Sequence, residues 1–578
     1  MFLTVSGVIG LATASSAQQT YTFTGAVDDQ WDNASNWDPP MIPFGDPNAT
    51  VILPSGKSVY HGYFEPNTIH SLQMGEGSSI AKYGNSLEVT GPSLLTGSIS
   101  NQGSFLSLTH PQNQLRGNLT TNAYFGLLSI ASESTGTMGN LNITGSEGYT
   151  MIDVPSTTTA NLNCNVYEGE STVTTSDVLG NLIVSGTSFS GSHTCAIATG
   201  DVSGNVIASA TDSIHVSIHC KDIGGDLGII SSGYGCQPCG SSGASVLAHH
   251  VQGKASASSA ESGVSYMNVK SCAELVNSDS FCTISEASHL NKYTVACSSY
   301  YSASNTMSGP GIVTVGECSV YAGDYTWGST TSSATAEYIH VLDKLAVGAS
   351  TYPGSPYSAS AILSTKEIQL GPQAEIIITE SVGISAGSFS TEQTNEFLWS
   401  FHGRLSAGSA FSTGSLEVAG TDYGVDGYYV QNFNIPKLLV KGTLRLVDNI
   451  DNGNRTFGTP ETVYFPGISG QDGLQISDGA TLELGTFNAY AFLNGTWTNL
   501  RDLVPAGNNC VQFGSGNICI DQVCYPDCDG NGVLSILDFS CFTNAYSSGD
   551  PYADCDGNSL FNVFDYICFG NAFAAGCP

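Results

Sequence analysis

A short pattern recurs through the first half of the chain: Gly97-Ser98-Ile99, Gly117-Asn118-Leu119, Gly139-Asn140-Leu141, Ala160-Asn161-Leu162, Gly180-Asn181-Leu182, Gly204-Asn205-Val206 and Gly225-Asp226-Leu227. Its middle residues (98, 118, 140, 161, 181, 205, 226) lie 20, 22, 21, 20, 24 and 21 positions apart. A period in this range marks a solenoid, in which each unit buries its apolar face only against its neighbours. The residues after each repeat are β-prone, as in Leu141-Asn142-Ile143-Thr144 and Leu182-Ile183-Val184-Ser185, with alternation and no helical period. The expected fold class is therefore mainly β: a right-handed parallel β-helix, followed by a small α module at the C-terminus. An amide at the same turn of every coil predicts a stacked ladder, each Asn bonding the next coil. With coils about 4.8 Å apart and roughly 20 of them between residues 50 and 505, the rod would be on the order of 100 Å long.

The repeat blurs between residues 230 and 335, where Gly/Ser-rich stretches and cysteines predict loop outgrowths pinned by disulfides. Strands resume at 375–379, 415–419, 437–448 and 480–484. At the front, Trp31 and Trp37 precede the strand at 49–54. A solenoid end exposes unpaired strand edge and core, so two Trp there predict a cap.

Residues 2–14 are apolar and Ser15-Ser16-Ala17 is small, which predicts a signal peptide cleaved before Gln18. No later run reaches about 18 apolar residues, so no membrane span is expected. The domain map read from these signals is 1–17 signal peptide, 18–95 N-terminal cap and first coils, 96–345 β-helix with Cys-rich outgrowths, 346–505 C-terminal coils, 506–523 linker and 524–578 terminal module.

Of 17 cysteines, six lie in the terminal module (524, 528, 541, 555, 568, 577), nine between Cys164 and Cys318, and Cys510 and Cys519 in the linker. This density behind an export signal predicts an oxidising compartment and a secreted, extracellular or cell-surface location. The six tail cysteines allow several pairings; joining Cys524 to Cys577 would clamp the module's ends. The chain carries 15 Lys+Arg against 49 Asp+Glu, a net charge of −34. No basic residue follows Arg501, and 502–578 holds nine Asp and no Glu. Nucleic acid and anionic membranes are excluded as partners on that balance.

The last 55 residues carry one pattern twice. The first copy is Asp527-Cys528-Asp529-Gly530-Asn531-Gly532-Val533-Leu534-Ser535-Ile536-Leu537-Asp538. The second is Asp554-Cys555-Asp556-Gly557-Asn558-Ser559-Leu560-Phe561-Asn562-Val563-Phe564-Asp565. Ca²⁺ takes six to eight oxygens, and a 12-residue loop supplies them from positions 1, 3, 5, 7, 9 and 12 around a turn at position 6. Loop one offers Asp527, Asp529, Asn531, the Val533 carbonyl, Ser535 and Asp538. Loop two offers Asp554, Asp556, Asn558, the Leu560 carbonyl, Asn562 and Asp565. The copies are offset by 554 − 527 = 27 residues, as are Cys528/Cys555, Cys541/Cys568 and Asn544/Asn571. Ser559 stands at the turn position; a non-Gly residue in the left-handed region costs roughly 1–2 kcal/mol, which predicts a weaker second site.

Position 12 is Asp in both loops, and one short helix is expected after each (539–546 and 566–575). This arrangement over residues 524–578 resembles a dockerin, the C-terminal module that attaches secreted bacterial proteins to cohesin receptors. Its cysteines and the ending Gly576-Cys577-Pro578 resemble the GC-type variant. The resemblance implies two Ca²⁺ ions and a cohesin-like receptor. It also implies a partner-reading face at positions 10 and 11, here the apolar Ile536, Leu537, Val563 and Phe564. The body is similar, more diffusely, to other large secreted bacterial β-helix proteins with terminal dockerins.

Within the body, Cys236-Gln237-Pro238-Cys239 lies in a Gly/Ser-rich loop and suits a structural disulfide, with metal or redox use as alternatives. His215, His219, Cys220, His249 and His250 are the nearby supply of metal ligands. Asp222, Asp226 and Lys221 are the candidate catalytic group, on adjacent coil turns, for a polysaccharide lyase or glycosidase. Asp226 also fills an Asn-ladder slot, which accounts for it without chemistry. Asp448, Asp451 and Asn452 fit either a calcium site or a turn. The expected function is a secreted non-catalytic rod for adhesion, display or glycan contact, docked through its tail. The alternative is a dockerin-borne polysaccharide lyase or hydrolase. A polysaccharide is thus the second candidate partner.

Overall fold

A computed structural model describes residues 18–43, 46–62, 67–233, 243–261, 264–278, 281–284, 289–297, 302–307, 313–323, 329–350, 358–380, 382–410, 412–425, 432–455, 460–505, 508–520, 525–528, 534–555 and 560–575. The chain divides into two compact units: residues 1–337 with 348–363, and residues 338–347 with 364–578. The strands are overwhelmingly parallel and pair coil to coil, so the chain is a parallel β-solenoid. Among the described residues no helix is long and apolar enough to cross a membrane.

In the first unit each coil brings strands to recurring positions. One column runs through Gln114–Tyr124, Leu141–Ser146, Leu162–Tyr167, Leu182–Ala198, Val206–His219 and Leu227–Gly233. A second runs through Phe105–Leu108, Leu127–Ala131, Tyr149–Val154 and Glu170–Thr175 into the later halves of the long strands. The pairing registers the apolar residue of each repeat on its copy: Leu119, Leu141, Leu162, Leu182, Val206, Leu227, Ala255, Leu275, Tyr293 and Cys318. All ten are buried. Such a column is the solenoid core, since parallel strands stack like residues on one another.

The stretch where the repeat blurs still contains coils. Strands Gly243–Glu261, Val264–Ser278, His289–Cys297 and Val313–Gly323 continue the columns. This corrects part of the outgrowth expectation: within that stretch Cys272 and Cys318 are buried free thiols, not loop clamps, and before it Cys164, Cys195 and Cys220 are buried free thiols as well. Strand alternation turns them inward, where Cys behaves as a small apolar residue. Cys164 and Cys195 approach within the core with Sγ–Sγ 3.2 Å. Cys236 and Cys239 lie outside the described residues.

Trp37 packs on Phe23 of the first described strand. Strand Thr20–Phe23 pairs parallel with Thr50–Leu53 and antiparallel with Trp37–Asp38. Trp31 and Trp37 are buried with ring centroids 4.9 Å apart, and the Trp37 indole N–H donates to the Trp31 carbonyl at 2.7 Å.

The second unit repeats the architecture, and its coils lengthen after Leu405. Ile384, Leu405, Leu438 and Leu474 form one buried column, and Leu444, Leu482 and Ile518 another. The stretch read as a linker carries structure: Cys510–Phe513 and Gly516–Cys519 form a hairpin closed by the Cys510–Cys519 disulfide. Its second strand pairs parallel with Thr481–Glu483, extending the stack.

The terminal module holds helices α1 (Ile536–Ser548) and α2 (Val563–Ala575). Each begins three residues before the sequence expectation. In α1 the reason is a capping box: Ser535 Oγ accepts from the Leu537 N–H and the Asp538 carboxylate accepts from the Ser535 N–H at 2.7 Å. α1 ends at Gly549 in the left-handed region (φ 72°). Disulfides Cys528–Cys541 and Cys555–Cys568 tie each loop to its own helix. Cys524 and Cys577 lie outside the described residues.

Candidate functional site

The module's core is built by pairing each residue with its own copy. Phe542 and Phe569, 27 apart, stack with centroids 4.1 Å apart. Tyr525 and Tyr552, also 27 apart, exchange hydrogen bonds: the Tyr525 hydroxyl donates to the Tyr552 carbonyl at 2.8 Å, and the Tyr552 hydroxyl donates back to the Tyr525 carbonyl. Contacts that run from one residue to its copy and back define a local two-fold relation. The tyrosines were missed in the sequence, though the same 27-residue offset marks them.

These tyrosines also report on the loops. Burial, then Asp565 and Asp554, pushes the Tyr525 phenol up to about 12. Burial, then Tyr525, Asp538 and Asp527, pushes Tyr552 up to about 12. Asp554 and Asp565 thus lie near Tyr525, and Asp527 and Asp538 near Tyr552. Asp538 and Asp565 are fully buried. The Asp565 carboxylate accepts from the Asn562 N–H at 2.8 Å, and Asn562 Oδ1 accepts from the Phe564 N–H at 2.8 Å, repeating the cap of loop one.

Buried carboxylates call for a paired charge. The module has no Lys, Arg or His to provide one, since no basic residue follows Arg501 and the last His is His402. That donor chemistry fits a hard cation. Of the sequence-named ligands, Asp527, Ser535, Asp538, Asp554, Leu560, Asn562 and Asp565 are described; Asp529, Asn531, Val533, Asp556 and Asn558 lie outside the described residues. The four residues named for partner contact are all surface groups: Ile536, Leu537, Val563 and Phe564 are 78%, 60%, 63% and 62% exposed. They occupy the first turns of α1 and α2 at equivalent places.

In the body, the ladder takes a definite form. Asn118 Oδ1 accepts from the Asn140 N–H, Asn161 Oδ1 from Asn181, Asn181 Oδ1 from Asn205, Asn205 Oδ1 from Asp226, and Asp226 Oδ1 from Lys254, at 2.8–2.9 Å. The glycine before each rung is a consequence. A Cβ at Gly204 would meet Asn181 Oδ1 at 2.5 Å; at Gly139, Gly180, Gly225 and Gly253 the equivalent contact is closer still. Where Ala160 replaces the glycine, the bond moves: Asn140 Oδ1 accepts from the Asn161 side-chain amide instead, at 2.8 Å.

Asp226 is thus a ladder rung. Asp222 and Lys221 are exposed and hold their coil through the backbone, Asp222 O accepting from the Val202 N–H and Lys221 N–H donating to Gly200 O. Among the described residues no hydrogen bond or ion pair joins the three side chains. His215, His219, His249 and His250 are exposed, on strands whose intervening Val216 and Ile218 are buried. Asp448 accepts from Arg455 Nε at 3.1 Å and from the Glu461 N–H at 3.0 Å, and buried Asn452 donates to the Thr391 and Gln393 carbonyls. Asp451 closes a turn by accepting from the Gly453 N–H. The turn reading of this trio is the one its hydrogen bonds support.

Sequence patterning did not flag a polar cluster inside the N-terminal coils. Lys82 is fully buried and donates to Gly84 O and Asn101 Oδ1, each at 3.1 Å. Burial pushes it down to about 8, and burial then Lys82 push the neighbouring His61 down to about 4. No family model, curated protein or solved structure shows significant similarity to the chain.

Proposed function

We propose that the chain is a secreted protein whose solenoid body serves as a rod for adhesion, display or glycan contact, and whose tail docks it onto a cohesin-like receptor. The observation that carries this reading is the paired apolar surface. Ile536, Leu537, Val563 and Phe564 stand exposed at matched places on two helices, in a module with no basic residue. Exposed apolar clusters of this kind mark protein-binding sites. Asp527, Asp529, Asn531, the Val533 carbonyl, Ser535 and Asp538 would hold one Ca²⁺, and Asp554, Asp556, Asn558, the Leu560 carbonyl, Asn562 and Asp565 a second. The ion would supply the countercharge that the module's own residues lack. The capping bonds from Asp538 and Asp565 then fix where each helix starts, and so where each apolar pair points.

The disulfides and the absence of a membrane-spanning helix among the described residues accord with an extracellular protein. The enzymatic alternative loses Asp226, which the ladder already employs. The experiment is retention of the full chain on immobilised cohesin-type receptors, in calcium and in chelator. Calcium-dependent retention that Leu537→Asp/Phe564→Asp abolishes is expected. Retention indifferent to both chelator and substitution would reject the docking reading.

A further inference from the structure

In the second unit, strand Trp399–Phe401 pairs parallel with Glu375–Ile378, setting Trp399 on Ile376 and Phe401 on Ile378. Residues in register on parallel strands share a face, and Ile376, Ile378 and Phe401 are buried. Trp399 therefore belongs to the inward face, where it meets Phe389 and Phe433 with ring centroids 6.3 and 5.1 Å away. Yet it is only half-buried. Its indole N–H is already taken, donating to the Asn434 carbonyl at 2.7 Å. Trp399 and Phe401 together border a cleft of about 300 Å³, so the opening reaches aromatic residues of the core.

Three titratable groups line the same cleft: Glu380 and His402, each just past one of the paired strands, and Glu396, which opens the turn Glu396–Leu398. Asn395 caps that turn, its Oδ1 accepting from the Phe397 N–H at 3.1 Å, so the backbone beside Glu396 is fixed. The turn at 466–469 also lines it, with Ser469 in the left-handed region at φ 49°. Among the described residues, the Glu380, Glu396 and His402 side chains have no hydrogen bond or ion pair. The chain's 15 Lys and Arg are all described, and none lines the cleft. Lys437, next to the lining Pro436, is engaged by Gln471 Oε1 at 2.6 Å. The cleft thus joins core aromatics to two carboxylates that no Lys or Arg of the chain neutralises.

We propose that this cleft binds a protonated amino sugar, a pyranose ring carrying an ammonium group, within a longer glycan. The volume lies at the lower end of small-ligand sites, roughly 300–1,000 Å³, and suits one ring rather than a stretch of chain. An aromatic face attracts a cation within about 6 Å of its centroid, and free carboxylates select the same charge. A sugar ring adds an apolar C–H face for Trp399 and hydroxyls round its rim for the groups the ammonium leaves unpaired. A lysine side chain offers one charge and nothing for the second carboxylate or His402. An acidic sugar is repelled, since no Lys or Arg offsets Glu380 and Glu396 here.

The inference rests on reading the body as a glycan-contacting rod. The test follows calorimetry and tryptophan fluorescence of the full chain titrated with a deacetylated chitooligosaccharide, its N-acetylated counterpart and a cellooligosaccharide, at a pH that keeps the amines protonated. Saturable binding of the amine form, at least tenfold tighter than either neutral one, is expected. Glu380→Gln/Glu396→Gln should weaken it at least tenfold, while Glu88→Gln/Glu133→Gln, at exposed sites of the first unit, should leave it unaltered. Trp399→Phe should remove the fluorescence response. Glu380 and Glu396 hold no contact in the chain, so their variant decides the matter even if Trp399→Phe misfolds. Equal loss in Glu88→Gln/Glu133→Gln marks general attraction to an acidic chain and overturns the cleft. Unchanged affinity in Glu380→Gln/Glu396→Gln, or equal binding of the neutral saccharides, overturns the cleft and leaves the rod reading standing. Silence toward all three overturns the cleft and leaves glycan contact by the rod without support.

Discussion

The solenoid and the terminal module are both built from repeats, but by different symmetry. The solenoid repeats by translation: Leu119 lies on Leu141, Leu141 on Leu162, and each copy has the same neighbours as the last. The module repeats by rotation, so Phe542 faces Phe569 and Tyr525 faces Tyr552, each once. A change in a translated repeat touches the coils above and below. A change on a two-fold face removes one side of a contact that holds both halves together.

The largest effect is therefore expected in the module. Phe542→Ala deletes half of the central stack and should cost about 3–5 kcal/mol, which is as much as a core of this size supplies. The near-ultraviolet dichroism of the module's aromatics should be lost at 25 °C; retention of that signal would break the comparison.

The next effect concerns a network that occurs once and shares its load with no copy. Burial first, with Asp448 adding to it, pushes Glu417 and Glu461 each up to about 7, against an ordinary value near 4.5. Their protonated forms favour the fold, so the stability they contribute is complete below about pH 4.5 and is lost as pH rises through about 7. Glu461→Gln should flatten that slope and gain on the order of 2 kcal/mol at pH 8 with little change at pH 4. Thermal melts across pH measure it; parallel curves for wild type and variant would reject the assignment.

Smaller effects are expected in the ladder. Gly204→Ala should cost about 1 kcal/mol, because Ala160 already shows how a rung reroutes around a methyl group. Asn181→Ala should cost about 0.5–1 kcal/mol and raise amide exchange at Asn205 without affecting rungs two coils away. Exchange spreading along the whole column would show that translated copies are more tightly coupled than their geometry implies.

Sequence made the translated part legible because each coil solves the same problem. Period, strand type and ladder all follow from repeated local chemistry. The role of the glycines was not legible, since it lies in the space a neighbouring coil's amide takes up. The buried cysteines misled because spacing does not say which face of a strand a residue takes. Nothing in the sequence sets Lys82 apart; the register beside His61 and the bond to Asn101 show it as an inward group. In the module the helix starts were set one turn too late, because Ser535 and Asn562 were read only as candidate ligands and not also as caps.

The ladder has a consequence for how such a chain tolerates editing. Rungs from Asn118 to Lys254 (118, 140, 161, 181, 205, 226, 254) lie 22, 21, 20, 24, 21 and 28 residues apart, yet an amide or carboxylate oxygen is bonded at every step, by the next backbone N–H or, from Asn140 to Asn161, by the side-chain amide. In the 24-residue coil the slack has an address: between the pairs Ser188–Asp212 and His193–Ile214 one strand spends five residues where its partner spends two. Those three surplus residues equal the difference from the 21-residue coil that follows. A rung thus resets the count at every turn. A short insertion in the bulge after Ser188 is therefore expected to leave the neighbouring coils in place.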